Sequence, residues 1–277
     1  MNTILASLRP STDRTARTSP SLAAADEELP ETRSPCATAH RGECARRLGP
    51  TVVSAAAIWL LLCVHAFALE SDSLQTKLQH LLAQKSERGS DPAYLVRLAD
   101  VYLDLGDDST TDAAKRQAAY EEGARVAGRA IELQERNADA HYLYAANAGS
   151  AAQLKGVMAS ALTIQDLKRH VTRALELNPR HPAALHMMGM MLEELPWFLG
   201  GDAAAALSYL RQSVEADPGY THARLDLAKA YAKRKDFVAA RGEVETLLQQ
   251  PLKPDASAAE RRRRDEASRL QSALALK

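Results

Sequence analysis

The chain has 277 residues, room for one or two domains. Aromatic residues make up only 5%, and no run of alternating β-branched residues occurs, which favours an all-α fold over a mixed one. Formal net charge is zero, so no global field steers the chain to nucleic acid, and the three cysteines all fall at or before Cys63, which excludes a disulfide framework or cysteine-ligated metal beyond it.

Residues 1–50 are rich in Ser, Thr, Pro, Arg and Ala and lack a helical apolar stripe, so they are expected to form a disordered leader. Residues 51–69 hold the one strongly apolar stretch, Val52 to Leu69, preceded by Arg41, Arg46 and Arg47 and closed by Ala66-Phe67-Ala68. A basic flank, a short apolar region and a small-x-small site describe a cleaved secretory signal. The length, borderline for a bilayer, also describes an uncleaved membrane anchor, and a buried soluble helix is the third reading. Both membrane readings put the remainder in a periplasmic or secreted location, anchored if the segment stays. Leu62 before Cys63 is too large for a lipoprotein processing site.

Residues 70–277 read as a helical repeat domain. A first helix over about 73–87 puts Leu74, Leu78, Leu81 and Leu82 on one face. Asp91-Pro92 opens unit one, with Leu95, Leu98, Ala99 and Tyr102, then a second helix with Ala127, Ala130 and Leu133. Unit two starts near Ala138 and carries an insertion around Ser150 to Leu162 before Leu167, Val171, Ala174 and Asn178-Pro179. Unit three starts at Pro182, with an insertion from Glu193 to Gly200, and ends at Asp217-Pro218. Unit four holds Leu227, Ala228, Tyr231, Phe237, Ala240, Val244 and Leu247. A last helix starts at the capping box Ser257-x-x-Glu260; it is expected to expose Arg261 to Arg264 and hide Leu270, Ala273 and Leu274. Small residues at the eighth position, taken as Ala99, Ala146, Gly189 and Ala228, let two helices approach to about 8–10 Å.

The large–small–aromatic–small–proline spacing of these units resembles the tetratricopeptide repeat superfamily over about residues 91–250. The fold expected is therefore an all-α solenoid of helix hairpins, about four repeats with insertions plus flanking helices. The resemblance implies first helices lining a groove for a protein partner. The segment Leu195-Pro196-Trp197-Phe198-Leu199-Gly200-Gly201-Asp202 also looks like the T-component of TRAP transporter systems, which implies a periplasmic solute-binding subunit as partner. The segments Lys168-Arg169-His170 and Ala174 to Pro179, with the later Leu-Pro-Trp, are similar instead to the regulator-of-microtubule-dynamics group.

No catalytic, cofactor or metal site is expected. His181 and His186 are five apart, off one helical face, and read as surface or groove histidines. Gly200-Gly201 lacks the lysine and hydroxyl of a phosphate loop. Glu193-Glu194 reads as a solvated helix end. Register places Val96, Asp100, Asp104, Leu143, Asn147, His186, Met190, Glu194, Leu225, Lys229 and Lys233 on the groove, acidic at one end and basic at the other. Asn147 takes the asparagine position of a carboxylate clamp, but Val96 stands where that clamp needs lysine. Trp197 and Phe198, on the unit-three insertion, read either as a cap over the array's core or as an anchor for a partner. The function expected is a non-enzymatic interaction scaffold, with oligomerisation left open and nucleic acid excluded. The alternative is a small-ligand binder with a pocket under the Trp197 loop.

Overall fold

The structure, a computed structural model, describes residues 74–108, 112–252 and 256–277. The leader and the apolar segment 51–69 lie outside the described residues. Among the described residues there is no strand, and no helix is long and apolar enough to cross a membrane.

A helix over residues 74–83 (α1) and a short turn of helix, α2 (Lys85–Arg88), precede four hairpins. They are α3 (Pro92–Asp107) with α4 (Ala113–Leu133), α5 (Ala138–Lys155) with α6 (Val157–Leu177), α7 (Pro182–Glu194) with α8 (Ala203–Ala216), and α9 (Thr221–Lys233) with α10 (Phe237–Gln249). A final helix, α11 (Ala258–Leu274), packs on α9 and α10. Side chains cap most of the starts. Asp91, Asp112, Asn137, His181, Asp202, Asp236 and Ser257 each accept from a backbone amide of the first turn, satisfying donors that have no partner inside the helix.

The crossings rest on small residues. Ala99, Ala127, Ala145, Ala174, Ala206, Ala228 and Ala240 are fully buried, and a Cβ on Gly189 would sit 2.9 Å from Cγ of Leu210. Each hairpin shares its apolar face with the next, so Val171 of α6 packs with Met188 of α7, and Leu210 of α8 with Leu227 of α9. Ser213 Oγ ties α8 back to the start of α7 by donating to the Pro182 carbonyl at 2.7 Å.

Three expectations need correction. The crossing residue of unit two is Ala145, not Ala146: Asn137 caps α5, so Ala138 is its first residue and the eighth is 145. The insertion of unit two is helix on both sides of Gly156. α5 runs on to Lys155, and Gly156, at φ 112°, breaks it before α6 starts. In α11, Ala273 is exposed and Ala267 takes the buried place with Leu274, while Arg262, Arg263 and Arg264 are half-buried. Guanidinium groups there satisfy helix-end carbonyls: Arg264 donates to those of Gln250 and Leu248, and Arg262 to that of Asp107.

Candidate functional site

First-helix positions five, nine and thirteen converge on one cavity of about 180 Å³. From α5 come Tyr142, Ala146 and Ser150, and from α7 His186, Met190 and Glu194. The lengthened start of α6 adds Thr163 and Ile164 as one wall; Tyr220 and His222, at the start of α9, close the other side. Leu195 lines the cavity but Trp197 and Phe198 do not. The lining is mostly apolar, with a few polar groups turned inward, the usual character of a ligand cleft.

Those polar groups are shaped by burial. Glu194 Oε2 is buried with no hydrogen-bond partner, and burial raises the carboxyl's pKa, with Lys233 pulling the other way. His222 stacks on Tyr220 with ring centroids 5.5 Å apart and planes 8° from parallel. Burial, helped by the charge of Arg263, depresses its pKa to about 3, so it is neutral at pH 7. Burial likewise lifts Tyr220 to about 12, although the hydrogen bond from Tyr142 pulls the other way. Below them, His186 Nε2 donates to Asp226 Oδ2 at 2.8 Å, Lys229 meets Asp226 Oδ1 at 3.0 Å, and Lys229 also reaches Glu266 of α11 at 2.9 Å. Burial acts to raise Asp226, but the His186 hydrogen bond and the Lys229 charge outweigh it and hold the carboxyl at about 2.

The acidic end lies on α3. Asp100, Asp104 and Asp107 share one face at i, i+4 and i+7. Burial and neighbouring carboxylates raise Asp100 and take Asp104 up to about 6; burial raises Asp107, opposed by its hydrogen bond from Tyr120. Arg262 donates to the Asp107 carbonyl at 3.2 Å, so α11 reaches from the last hairpin to the first.

Several expected groove residues sit elsewhere. Asn147 is buried, its amide donating to the carbonyls of Leu143 at 2.9 Å and Ala99 at 3.3 Å, and it packs where Gly123 has no side chain. The clamp position and Leu143 both fall one residue late in the expected register, the same slip as at Ala146. Leu225 is also buried. The basic end is not free: Lys229 is paired as above, and Lys233 meets Glu193 at 2.8 Å. Glu193 is a buried carboxylate shared with Arg234, not a solvated helix end. His181 and His186 are buried rather than superficial, His181 pairing with Asp139 at 3.0 Å while capping α7.

Trp197 and Phe198 cap nothing. They are 84% and 65% exposed, edge to face with centroids 5.9 Å apart, on a 3-10 turn over Trp197–Leu199. The turn is nonetheless held firmly. Gly201 N donates to Pro196 O and Asp202 N to Leu192 O, each at 3.0 Å, and a Cβ on Gly201 would lie 1.7 Å from the Leu195 carbonyl oxygen. Gly200 adopts φ 89°, the left-handed region.

Sequence reasoning misses Tyr142, Ala146 and Ser150 as cavity residues through the register slip; the Asn137 cap is the signal that corrects it. Tyr220 and His222 precede the repeat signature of unit four and carry no signal of their own. The α6 wall is hidden because Ser150 to Leu162 looks like an interruption.

The comparisons with known proteins bear on both halves. Residues 62–194 match the family described as regulator of microtubule dynamics protein 1-3, and residues 198–263 match the tetratricopeptide repeat. Regulator of microtubule dynamics protein 1 of Bos taurus is 30% identical over 173 residues, 57% of this chain and 54% of that protein. Regulator of microtubule dynamics protein 3 of Bos taurus is 29% identical over 169 residues, 55% of this chain and 36% of that protein. The chain thus spans about half, or less, of the length of these curated relatives. Among solved structures, a thermophilic tetratricopeptide protein of Thermus thermophilus aligns with a TM-score of 0.55 at 17% identity, over 76% of this chain and 96% of its own, which shows the fold. With capped helix pairs stacked over small residues and a tetratricopeptide repeat match over residues 198–263, the chain has the tetratricopeptide repeat fold.

Proposed function

We propose that this chain is a non-enzymatic scaffold that holds a basic segment of a protein partner along its first-helix face. One observation carries the reading. Burial, reinforced at Asp100 and Asp104 by neighbouring carboxylates, makes the strip Asp100, Asp104 and Asp107 resist ionisation, and α11 of the same chain already brings Arg262 and Arg263 towards it. A partner of opposite charge gains from that field mainly in encounter rate and orientation. Among the described residues, no group of three or more His, Cys, Asp or Glu is arranged to hold a metal. The solute-uptake version of this reading rests on the Leu195 to Asp202 sequence alone, and the periplasmic location on the segment before residue 70. The relatives' name suggests microtubules, which co-sedimentation with polymerised tubulin tests for this chain. For the scaffold itself, a photo-crosslinking residue is placed at Asp100 and, as control, at Gln165 on the outer face. A crosslink from position 100 to a basic peptide, absent from position 165, supports the proposal; equal labelling from both positions overturns it.

A second reading is favoured by the partnerless Glu194 Oε2 beside Met190, Met191 and Leu195. The cavity then takes a small, mostly apolar ligand with a hydrogen-bond donor at the Glu194 end. Native mass spectrometry of the purified chain tests it. An added mass that is lost on Ala146→Leu supports a ligand, and identical spectra for the two proteins refute it.

A further inference from the structure

Among the described residues, six of the ten exposed large apolar side chains gather at one edge of the hairpins, whereas Leu82, Leu133, Leu252 and Leu276 lie elsewhere. Leu154 ends α5, Leu162 lies in the second turn of α6, Trp197, Phe198 and Leu199 form the turn of unit three, and Val238 opens α10. All belong to the ends where first helices hand over to second helices. In stacked hairpins those ends share one edge, and direct contacts tie them together here. Lys233 and Arg234 of the unit-four turn grip Glu193 at the end of α7, and Arg234 also reaches the Ala203 carbonyl at the start of α8. Lys168 Nζ lies 3.3 Å from where a Cβ on Gly200 would stand. Leu162, Trp197 and Val238 are each at least three-quarters exposed.

We propose that this turn edge seats on a lipid bilayer surface carrying anionic headgroups. A single protein hot spot is a compact patch with a rim, whereas these side chains are spread over three successive hairpins, spacing that a broad planar interface can meet at once. Trp197 and Phe198 stand on a turn that needs no ordering on contact, and tryptophan is suited to the boundary between headgroups and acyl chains. Lys168 and Lys235 lie at the same edge and make no ion pair among the described residues, which leaves them available to headgroup phosphates. The first described helix also starts on this side. Lys77 of α1 is close enough to Asp100 and Asp104 to act on both carboxyls, so α1 begins towards the end of α3 that meets the edge. The uncharged apolar stretch Val52 to Leu69 ends only five residues before α1 starts at Leu74.

The test uses the full chain with Trp59→Phe, so that Trp197 is its one tryptophan. Emission is read on vesicles of phosphatidylcholine with phosphatidylserine, some carrying brominated acyl chains. The expected result is a blue shift and quenching of Trp197, weakened several-fold by Lys168→Glu combined with Lys235→Glu. If the chain floats with the vesicles while Trp197 keeps its water-exposed, unquenched emission, the apolar stretch alone holds the membrane and the proposal falls, leaving the edge to a protein. Absence of vesicle binding, or charge reversals that change nothing, overturns it equally. None of these outcomes touches the scaffold reading, which is decided at Asp100.

Discussion

Arg262 of α11 donates to the backbone carbonyl of Asp107, 155 residues earlier and at the end of α3. Contacts in a repeat array run between neighbours, so this one joins elements that stacking alone would leave apart. Arg262→Ala is expected to loosen α11 from α3 at a cost of about 1 kcal/mol. Amide exchange should rise around Asp107 and the start of α11, with the α7–α8 hairpin unchanged. Uniform protection in both proteins would show that the contact bears no strain.

Ala145 and Ala146 separate the two registers of unit two. Leu at 145 should overpack the crossing and cost about 1–3 kcal/mol, as should Ala206→Leu and Ala228→Leu. Leu at 146 projects into the cavity and should leave the urea midpoint nearly unchanged. Ala204→Leu, on an exposed face, is the neutral control. Reversed midpoints for 145 and 146 would restore the register read from sequence.

Acid should weaken the fold through His222. Its folded pKa of about 3 lies below the ordinary 6.5, so between these values the unfolded chain binds the extra proton. The stabilisation is fully present above pH 6.5 and is lost as pH falls towards 3. It amounts to on the order of 5 kcal/mol, from the 1.36 kcal/mol that each unit carries. His222→Phe keeps a ring to stack on Tyr220 and should flatten the loss of stability over that range. A variant with the same slope as the parent would remove His222 as its source.

Asp104 works in the opposite sense. Its pKa of about 6 exceeds the unfolded value of 3.8, so ionisation above pH 6 opposes folding. Asp104→Asn should therefore be more stable than the parent at pH 7, with the gain vanishing below pH 4. Thermal melts at the two pH values decide it.

The aromatic turn and the core are separable. Trp197→Ala should leave the urea midpoint where it is, because the ring is largely in solvent. Gly201→Ala should disturb the turn by forcing the Leu195 carbonyl aside, seen as faster proteolysis between Leu195 and Ala203. Comparable resistance of Gly201→Ala and parent would contradict the close approach.

The hairpins were legible because their signals are local. Asp91-Pro92, Asp202, Asp236 and Ser257 mark starts, Pro179 and Pro218 follow ends, and small residues recur between them. What escaped depends on partners distant in sequence. Burial of Asn147 requires the side-chain-free face of Gly123, pairing of Lys233 requires Glu193, and the half-burial of Arg262 requires Asp107. The exposure of Trp197 is likewise a matter of which way a turn faces, and an apolar residue type alone points inward.

The lengths of α5 and α6, 18 and 21 residues against 13 and 14 for α7 and α8, have an architectural consequence. The extra turns leave the crossing at Ala145 untouched and change only how tall one side of the hollow stands. Depth and repeat geometry are thus independent dials. Trimming matched turns around Gly156 would turn a cup into an open trough without asking any hairpin to repack.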